Sequence, residues 1–300
     1  MSIPSMKVGG EELVLSRIAQ GFGSLVQEEK PTAGSLARYL EACMAEGITT
    51  YDLAAVYAGG EAESLFGEAV ALTPGLRGRM TVVTKYGIEG GGEGYQCYNS
   101  SREAIVRSAE RSLKRMRIDY IDALLMHRPD MLMDADEVAD ALISLKQSGK
   151  ILHAGVSNFL PHQTELLQSR LPFPLLINEV PYNLYTMQVQ EDGTLDQCQR
   201  LRMAPMYYAP LAGGKLFAEP KDEREIRVRK ALETVAEAHG GVPMEAVAIA
   251  WVLMHPARGA AVLGCGREEW MRRAVQGANL PLTRDQWFYL WTASKGHKIP

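Results

Sequence analysis

The sequence predicts an α/β fold, a single (β/α)8 TIM barrel, and three observations carry that expectation. The chain has 300 residues, a length common for one such barrel with its loops. Short apolar or β-branched runs alternate with longer stretches of helical period almost from end to end. No low-complexity block, linker or repeat divides the chain. One domain over residues 1–300 is therefore expected, with a C-terminal helical tail over about 282–300.

The elements follow in order. Strands are expected over 17–20, 49–53, 80–85, 120–126, 151–156, 175–180, 203–209 and 259–263. Helices are expected near 33–46, 60–71, 100–116, 134–148, 161–169, 192–201, 224–238 with 243–255, and 267–275. The 100–116 stretch has the firmest pattern. Ser100 and Glu103 have capping-box spacing, and Ile105, Ala109, Leu113 and Met116 recur at steps of three and four. Apolar strands alternating with amphipathic helices make βαβ units, hence parallel strands buried on both faces. A doubly wound nucleotide fold is the competitor, and it should carry G-x-G-x-x-G after its first strand. Gln20-Gly21-Phe22-Gly23-Ser24-Leu25 stands there instead, without the third glycine. Trp287, Phe288, Tyr289 and Trp291 place a helix in the tail, packed on the barrel rather than forming a ninth unit.

Composition excludes several classes. Hydrophobic residues make up 46% and charged residues 23%, an ordinary globular balance. The net charge of −4, from 32 basic and 36 acidic residues, argues against nucleic acid or an anionic membrane as partner. The longest apolar run, 246–254, is far short of the ~18–20 residues of a membrane span. The start, Met1-Ser2-Ile3-Pro4, has none of the features of a signal peptide. Cys43, Cys97, Cys198 and Cys265 lie far apart without metal-ligand spacing, and the six histidines include no H-E-x-x-H. Free thiols in a reducing cytoplasm and no bound metal are expected.

In a barrel of this kind the site lies at the C-terminal ends of the strands. The second strand ends at Asp52, with Tyr57 five residues on. The third ends at Lys85 and the fourth at His127. Each has a plain structural alternative: a helix cap, a core edge, a solvated cation. An apolar strand ending in Lys is harder to explain that way, because a buried ammonium requires a partner.

These residues carry a resemblance. Thr50-Tyr51-Asp52-Leu53-Ala54-Ala55-Val56-Tyr57, with Glu63 and Gly67 following, resembles the aldo-keto reductase signature around its catalytic Asp and Tyr. Val83-Thr84-Lys85 and Ile121-Asp122-Ala123-Leu124-Leu125-Met126-His127-Arg128-Pro129 are similar to that family's Lys and His motifs. Gly155-Val156-Ser157-Asn158-Phe159 is similar to the stretch whose Ser-Asn pair holds the nicotinamide amide. Tyr208-Ala209-Pro210-Leu211-Ala212-Gly213-Gly214-Lys215-Leu216 resembles the loop whose Tyr stacks under the nicotinamide ring. The match runs over about 15–275 in the family's order, and the whole looks most like a bacterial oxidoreductase subgroup.

The resemblance implies a metal-free barrel enzyme that reduces the carbonyl of a small molecule with NADPH. Asp52, Tyr57, Lys85 and His127 would be its catalytic set, with Tyr57 as acid, Lys85 stabilising its phenolate, Asp52 holding Lys85 and His127 orienting the carbonyl. Its cofactor set would be Gly23, Ser157, Asn158, Glu179, Tyr208, Ala209, Pro210, Leu211, Gly213, Lys215, Gly264, Gly266, Arg267 and Arg273. Gly264-Cys265-Gly266-Arg267 opens the last barrel helix, where free backbone N–H groups favour an anion. Arg267 there suits a 2′-phosphate, and Lys215 could meet the pyrophosphate. Two positions depart from the commonest pattern. Trp270 and Ala274 replace an Arg and an Asn, leaving Arg272 and Arg273 as spare cations, and Glu179 stands where Gln is usual.

Other features take plainer readings. Gly155-x-Ser157-x-Phe159 lacks the second Gly of a nucleophile elbow. The glycine-rich stretch 90–94 reads as a surface loop, bringing Tyr86, Tyr95, Cys97 and Tyr98 near the mouth as a possible substrate wall. Arg224, Arg227, Arg229 and Lys230, interleaved with Glu223 and Glu225, read as a solvated helix face. Two rival functions remain: a nucleotide-binding redox sensor with little turnover, and a barrel isomerase or lyase acting on a phosphorylated substrate. The intact set of four favours a reductase over the first; the Ser157-Asn158 and Tyr208 motifs favour it over the second.

Overall fold

The computed structural model describes residues 2–10, 13–90 and 95–299. Two short strands, β1 (Ser5–Lys7) and β2 (Val14–Ser16), form an antiparallel ribbon ahead of the barrel. Met6, Val8, Leu13 and Leu15 bury themselves with inward residues of the barrel such as Val83 and Met206. Ser16 also bonds to the start of the second barrel strand, its Oγ accepting from Thr50 N at 3.0 Å. The ribbon thus plugs the end of the barrel where the strands begin, leaving the opposite end open.

From there the chain alternates. β3 (Ile18–Gly21), α1 (Leu25–Glu29) and α2 (Ala33–Ala45) lead to β4 (Thr50–Asp52), α3 (Glu61–Ala71) and β5 (Thr81–Tyr86). A ribbon of β6 (Ile88–Gly90) and β7 (Gln96–Tyr98) interrupts the next loop before α4 (Arg102–Met116). Then come β8 (Ile121–Met126), α5 (Ala135–Gln147), β9 (Ile151–Ser157), α6 (Pro161–Gln168), β10 (Leu175–Pro181), α7 (Thr194–Leu201) and β11 (Ala204–Tyr208). The chain continues through α8 (Glu223–Ala238), α9 (Met244–Leu253), β12 (Ala260–Leu263), α10 (Glu268–Ala278) and α11 (Arg284–Lys295). The strands β3-β4-β5-β8-β9-β10-β11-β12 close on themselves in that order, all pairs parallel. This is the expected eight-stranded barrel, each strand within a residue or so of its expected span.

Differences from expectation have local causes. The ribbons and the short α1 lie outside the β/α alternation and were not anticipated. The cap of α4 is Ser101, whose Oγ accepts from Ala104 N, not Ser100; Ser100 Oγ instead donates to Asp130 Oδ2 at 2.6 Å. Arg224 is no solvated residue. Its guanidinium donates to Ser294 O, Leu184 O and Tyr185 O, stapling α8 to α11 and to the loop after β10. Residues 91–94 of the expected glycine loop lie outside the described residues. Beside them, Tyr95 and Tyr98 are exposed, whereas Tyr86 is buried among the helices. Helix α11 is fixed by a tryptophan pair. Trp251 and Trp287 stack with centroids 5.1 Å apart, and each indole N–H donates to the other's backbone carbonyl at 3.1 Å.

Candidate active site

The open end of the barrel holds a cavity of about 610 Å³, within the usual range for small-molecule sites. Asp52 ends β4 and lines the cavity, and Lys85, one residue before the end of neighbouring β5, reaches it from beneath the lining. Lys85 is 1% exposed and its Nζ donates to Asp52 Oδ1 at 2.6 Å, Leu53 O at 3.0 Å and Tyr57 Oη at 3.3 Å. Glu179 Oε2 lies 3.0 Å from the same Nζ. The His127 ring meets the Tyr57 ring edge-on at 5.7 Å. The structure therefore brings together all four residues expected to do chemistry.

The loop that carries Tyr57 is anchored from outside the cavity. Arg115 donates to Ala55 O at 3.1 Å and to Glu63 Oε2 at 3.3 Å, while Glu63 Oε1 accepts from Thr84 Oγ1 at 2.8 Å. Glu63 is fully buried, and this pairing accounts for it. Gly67 follows from the same packing: a Cβ there would come within 2.6 Å of the α4 backbone at Arg115 O.

Electrostatics set the protonation states. Burial pushes the Tyr57 hydroxyl above its ordinary range; Lys85 opposes that rise, and Asp52 and Glu179 add to it. Desolvation outweighs the lysine charge, so Tyr57 holds its proton at rest. Burial also disfavours the Lys85 charge, yet Asp52 and Glu179 hold its pKa well above normal. Burial raises both carboxyls, Asp52 in direction and Glu179 to about 8. His127 is pushed down to about 3 by burial and by the Lys85 and Arg128 charges, so its ring is neutral.

Beside this cluster lies a bonded chain. Tyr208 Oη donates to Asn158 Oδ1 at 2.9 Å, Asn158 Nδ2 to Ser157 Oγ at 2.8 Å, and Ser157 Oγ to Glu179 O at 2.9 Å. Asn158 adopts a φ of +62°, a left-handed conformation that Asn tolerates. Gly23, Glu179, Ala209, Pro210, Leu211, Gly213, Gly264 and Arg267 also line the cavity. Gly21 is required at its floor, since a Cβ there would stand 2.8 Å from Leu263 O.

Three expected cofactor residues are placed elsewhere. Arg273 turns to Glu245 and Glu269, outside the described lining. Lys215 is exposed and off the lining, and Gly266 faces Leu25, where a Cβ would meet its side chain at 3.0 Å. The sequence reading missed Arg128, Glu28, Glu29 and, as a lining residue, Trp270. Arg128 was legible beside His127. Glu28 and Glu29 sit on α1, a helix of five residues with too little periodicity to detect.

The cavity suits a dinucleotide. Its lining runs from Tyr57 and His127 to Arg267 and Trp270. Arg267 caps α10 without bonding its first turn, so backbone N–H groups there remain available to a phosphate. At the other end Glu179 Oε2 is buried with no hydrogen-bond donor among the described residues, a polar atom on the wall near Asn158.

A parallel barrel with a dinucleotide-sized cavity and a buried Asp-Lys-Tyr cluster defines an oxidoreductase of the barrel class. The chain belongs to the aldo/keto reductase family, whose model matches residues 17–294. It is 43% identical over 290 residues to the oxidoreductase YdhF of Escherichia coli, covering 95% of each chain. It is 36% identical over 294 residues to the 6-dehydroglucose reductase of Agrobacterium fabrum, covering 96% of this chain and 97% of that one. Among solved structures, the glycerol dehydrogenase of Gluconobacter oxydans superposes with a TM-score of 0.86 at 26% identity, covering 99% and 97% of the two chains. The protein is an enzyme of this family, which works with nicotinamide cofactors.

Proposed function

We propose that the enzyme reduces an aldehyde or ketone to its alcohol with NADPH, with Tyr57 as the general acid. A nicotinamide held by these residues would supply the hydride for the carbonyl carbon. The chain's own residues manage the oxygen. Tyr57 Oη, kept protonated by burial, passes its proton to the developing alkoxide and becomes a phenolate. Lys85 donates to that same Oη at 3.3 Å and stabilises the phenolate once formed; Asp52 holds the ammonium at 2.6 Å. His127, neutral, can donate an N–H to the carbonyl oxygen and orient it. Positioned proton transfer of this kind is worth about 10²–10⁴-fold. The observation that carries the reading is one buried ammonium, that of Lys85, bonded to both a carboxylate and a phenol that line the cavity.

Ser157 and Asn158 are assigned to the carboxamide, with Glu179 beside them, and Tyr208 to the face of the ring. Gly23, Ala209, Pro210, Leu211, Gly213 and Gly264 shape the groove; Gly266 and Lys215 lie off its lining and drop out of this set. Arg267 is assigned to the 2′-phosphate, the basis for NADPH over NADH; Arg273, held by two glutamates, drops out of this set. Four cysteines free of disulfides support a reducing cytoplasmic setting.

The relative named for 6-dehydroglucose puts sugar-derived aldehydes first in a substrate panel. NADPH absorbance is followed against that panel together with simple aldehydes, ketones and quinones. Substrate-dependent loss of absorbance is expected. Tight NADPH binding with no turnover across the panel would favour a redox sensor instead.

A further inference from the structure

Glu179 stands where an amide is usual, and the geometry gives its acid a role. Lys85 Nζ has three protons, and three acceptors take them: Asp52 Oδ1, Leu53 O and Tyr57 Oη. Glu179 Oε2 is a fourth neighbour at 3.0 Å, yet it makes no hydrogen bond among the described residues. The Lys85 side chain is 0% exposed and both carboxyl side chains 3%. Two ionised carboxylates around one ammonium would seal a net negative charge away from water, with one oxygen left bare. Burial of that kind is expensive, and a carboxyl in such a place takes up a proton instead.

We propose that Glu179 is a proton-holding positioning residue: its carboxyl stays protonated in the working enzyme, donates to Asp52, and keeps the Asp52–Lys85–Glu179 cluster neutral with Lys85 aimed at Tyr57. The effect on rate rests on the proposed role of Tyr57; the proton on Glu179 does not. The groups around the Glu179 carboxyl are Asp52 from β4, Lys85 from β5, Tyr57 from the loop after β4 and Tyr208 from β11. Ser157 of β9 bonds only its backbone carbonyl. Losing the proton puts a second anion beside Lys85. That anion competes with Tyr57 for Nζ–H and raises the cost of the Tyr57 phenolate, so hydride transfer slows. Burial and the Asp52 charge put this loss near pH 8, whereas a glutamine here would not titrate.

Single-turnover hydride transfer to a reactive aldehyde, followed across pH, reads the effect. The wild-type rate should fall several-fold across the Glu179 titration, to a lower plateau, as for a proton that sets the position of the acid. Glu179→Gln, scaled to its own neutral value, should stay flat through that region. Identical alkaline limbs in the two proteins would overturn the proposal. A second readout needs no turnover: the infrared carbonyl band of a protonated carboxylic acid should be present in wild type at neutral pH, disappear in alkaline buffer, and be missing from Glu179→Gln. Absence of that band at neutral pH overturns the proposal even if the variant does not fold, because wild type alone reports it. Failure of carbonyl reduction itself would appear in the substrate panel, leaving the band unaffected.

Discussion

Arg267 Nε donates to Glu29 Oε1 at 2.8 Å, and both residues line the cofactor cavity. The Arg267 side chain is 66% exposed, so the pair contributes little to stability, but it bears on cofactor choice. A 2′-phosphate must draw the guanidinium away from the carboxylate, whereas a ribose 2′-hydroxyl could donate to that same carboxylate. Glu29→Gln should therefore tighten NADPH several-fold and leave NADH equal or weaker. Arg267→Ala should weaken NADPH by about 1.5–3 kcal/mol, the worth of a hydrogen bond to a charged group, with NADH little changed. Fluorescence titration of both cofactors measures this. Equal shifts for the two would remove Arg267 from 2′-phosphate recognition.

His127 should stay neutral wherever the enzyme is folded. Its pKa is about 3 in the native protein, against roughly 6.5 unfolded. The unfolded chain therefore binds the extra proton first, and stability is lost as pH falls from the unfolded value towards the native one. Thermal midpoints at neutral pH and in mild acid should drop more for wild type than for His127→Gln. Hydride transfer should likewise show no acidic limb near the ordinary histidine range. Such a limb, abolished in His127→Gln, would mean the ring is charged in the resting site.

The Trp251–Trp287 pair should be the main tie between α11 and the barrel. Trp287→Ala removes the stacked ring and its indole N–H bond to Trp251 O, while the Trp287 carbonyl can still accept from the Trp251 indole. A loss on the order of 3 kcal/mol is expected from the ring, and Trp287→Phe should recover most of it. Denaturant unfolding checks both; an alanine variant as stable as wild type would contradict the packing account.

Much of this was legible in the sequence, for identifiable reasons. The barrel strands were readable because both faces of a parallel strand are buried, which leaves runs such as Leu124-Leu125-Met126 with few interruptions. Lys85 was readable because it ends such a run. The ribbon of β1 and β2 was not, because three-residue strands carry too little pattern to separate from a coil. The cap of α4 slipped by one residue because Ser100 and Ser101 are equally good caps locally, and only the distant Asp130 decides between them. Arg273 resembled a phosphate ligand by sequence distance, but its helix turns it to Glu245 and Glu269. The Glu179–Lys85 contact joins positions on non-adjacent strands across the barrel, and no sequence spacing encodes it.

The central claim is that Tyr57 gives the proton and Lys85 makes its loss affordable. Tyr57→Phe removes one oxygen and keeps the ring against His127, so NADPH affinity should survive while the chemical step falls by about 10²-fold or more. Lys85→Met should do comparable damage, and the double variant should be little worse than either, because residues acting as one unit are non-additive. Single-turnover hydride transfer, read at the NADPH absorbance with a reactive aldehyde, isolates that step from product release. The account predicts a large loss in Tyr57→Phe with cofactor binding intact; a near-wild-type single-turnover rate in that variant would contradict it.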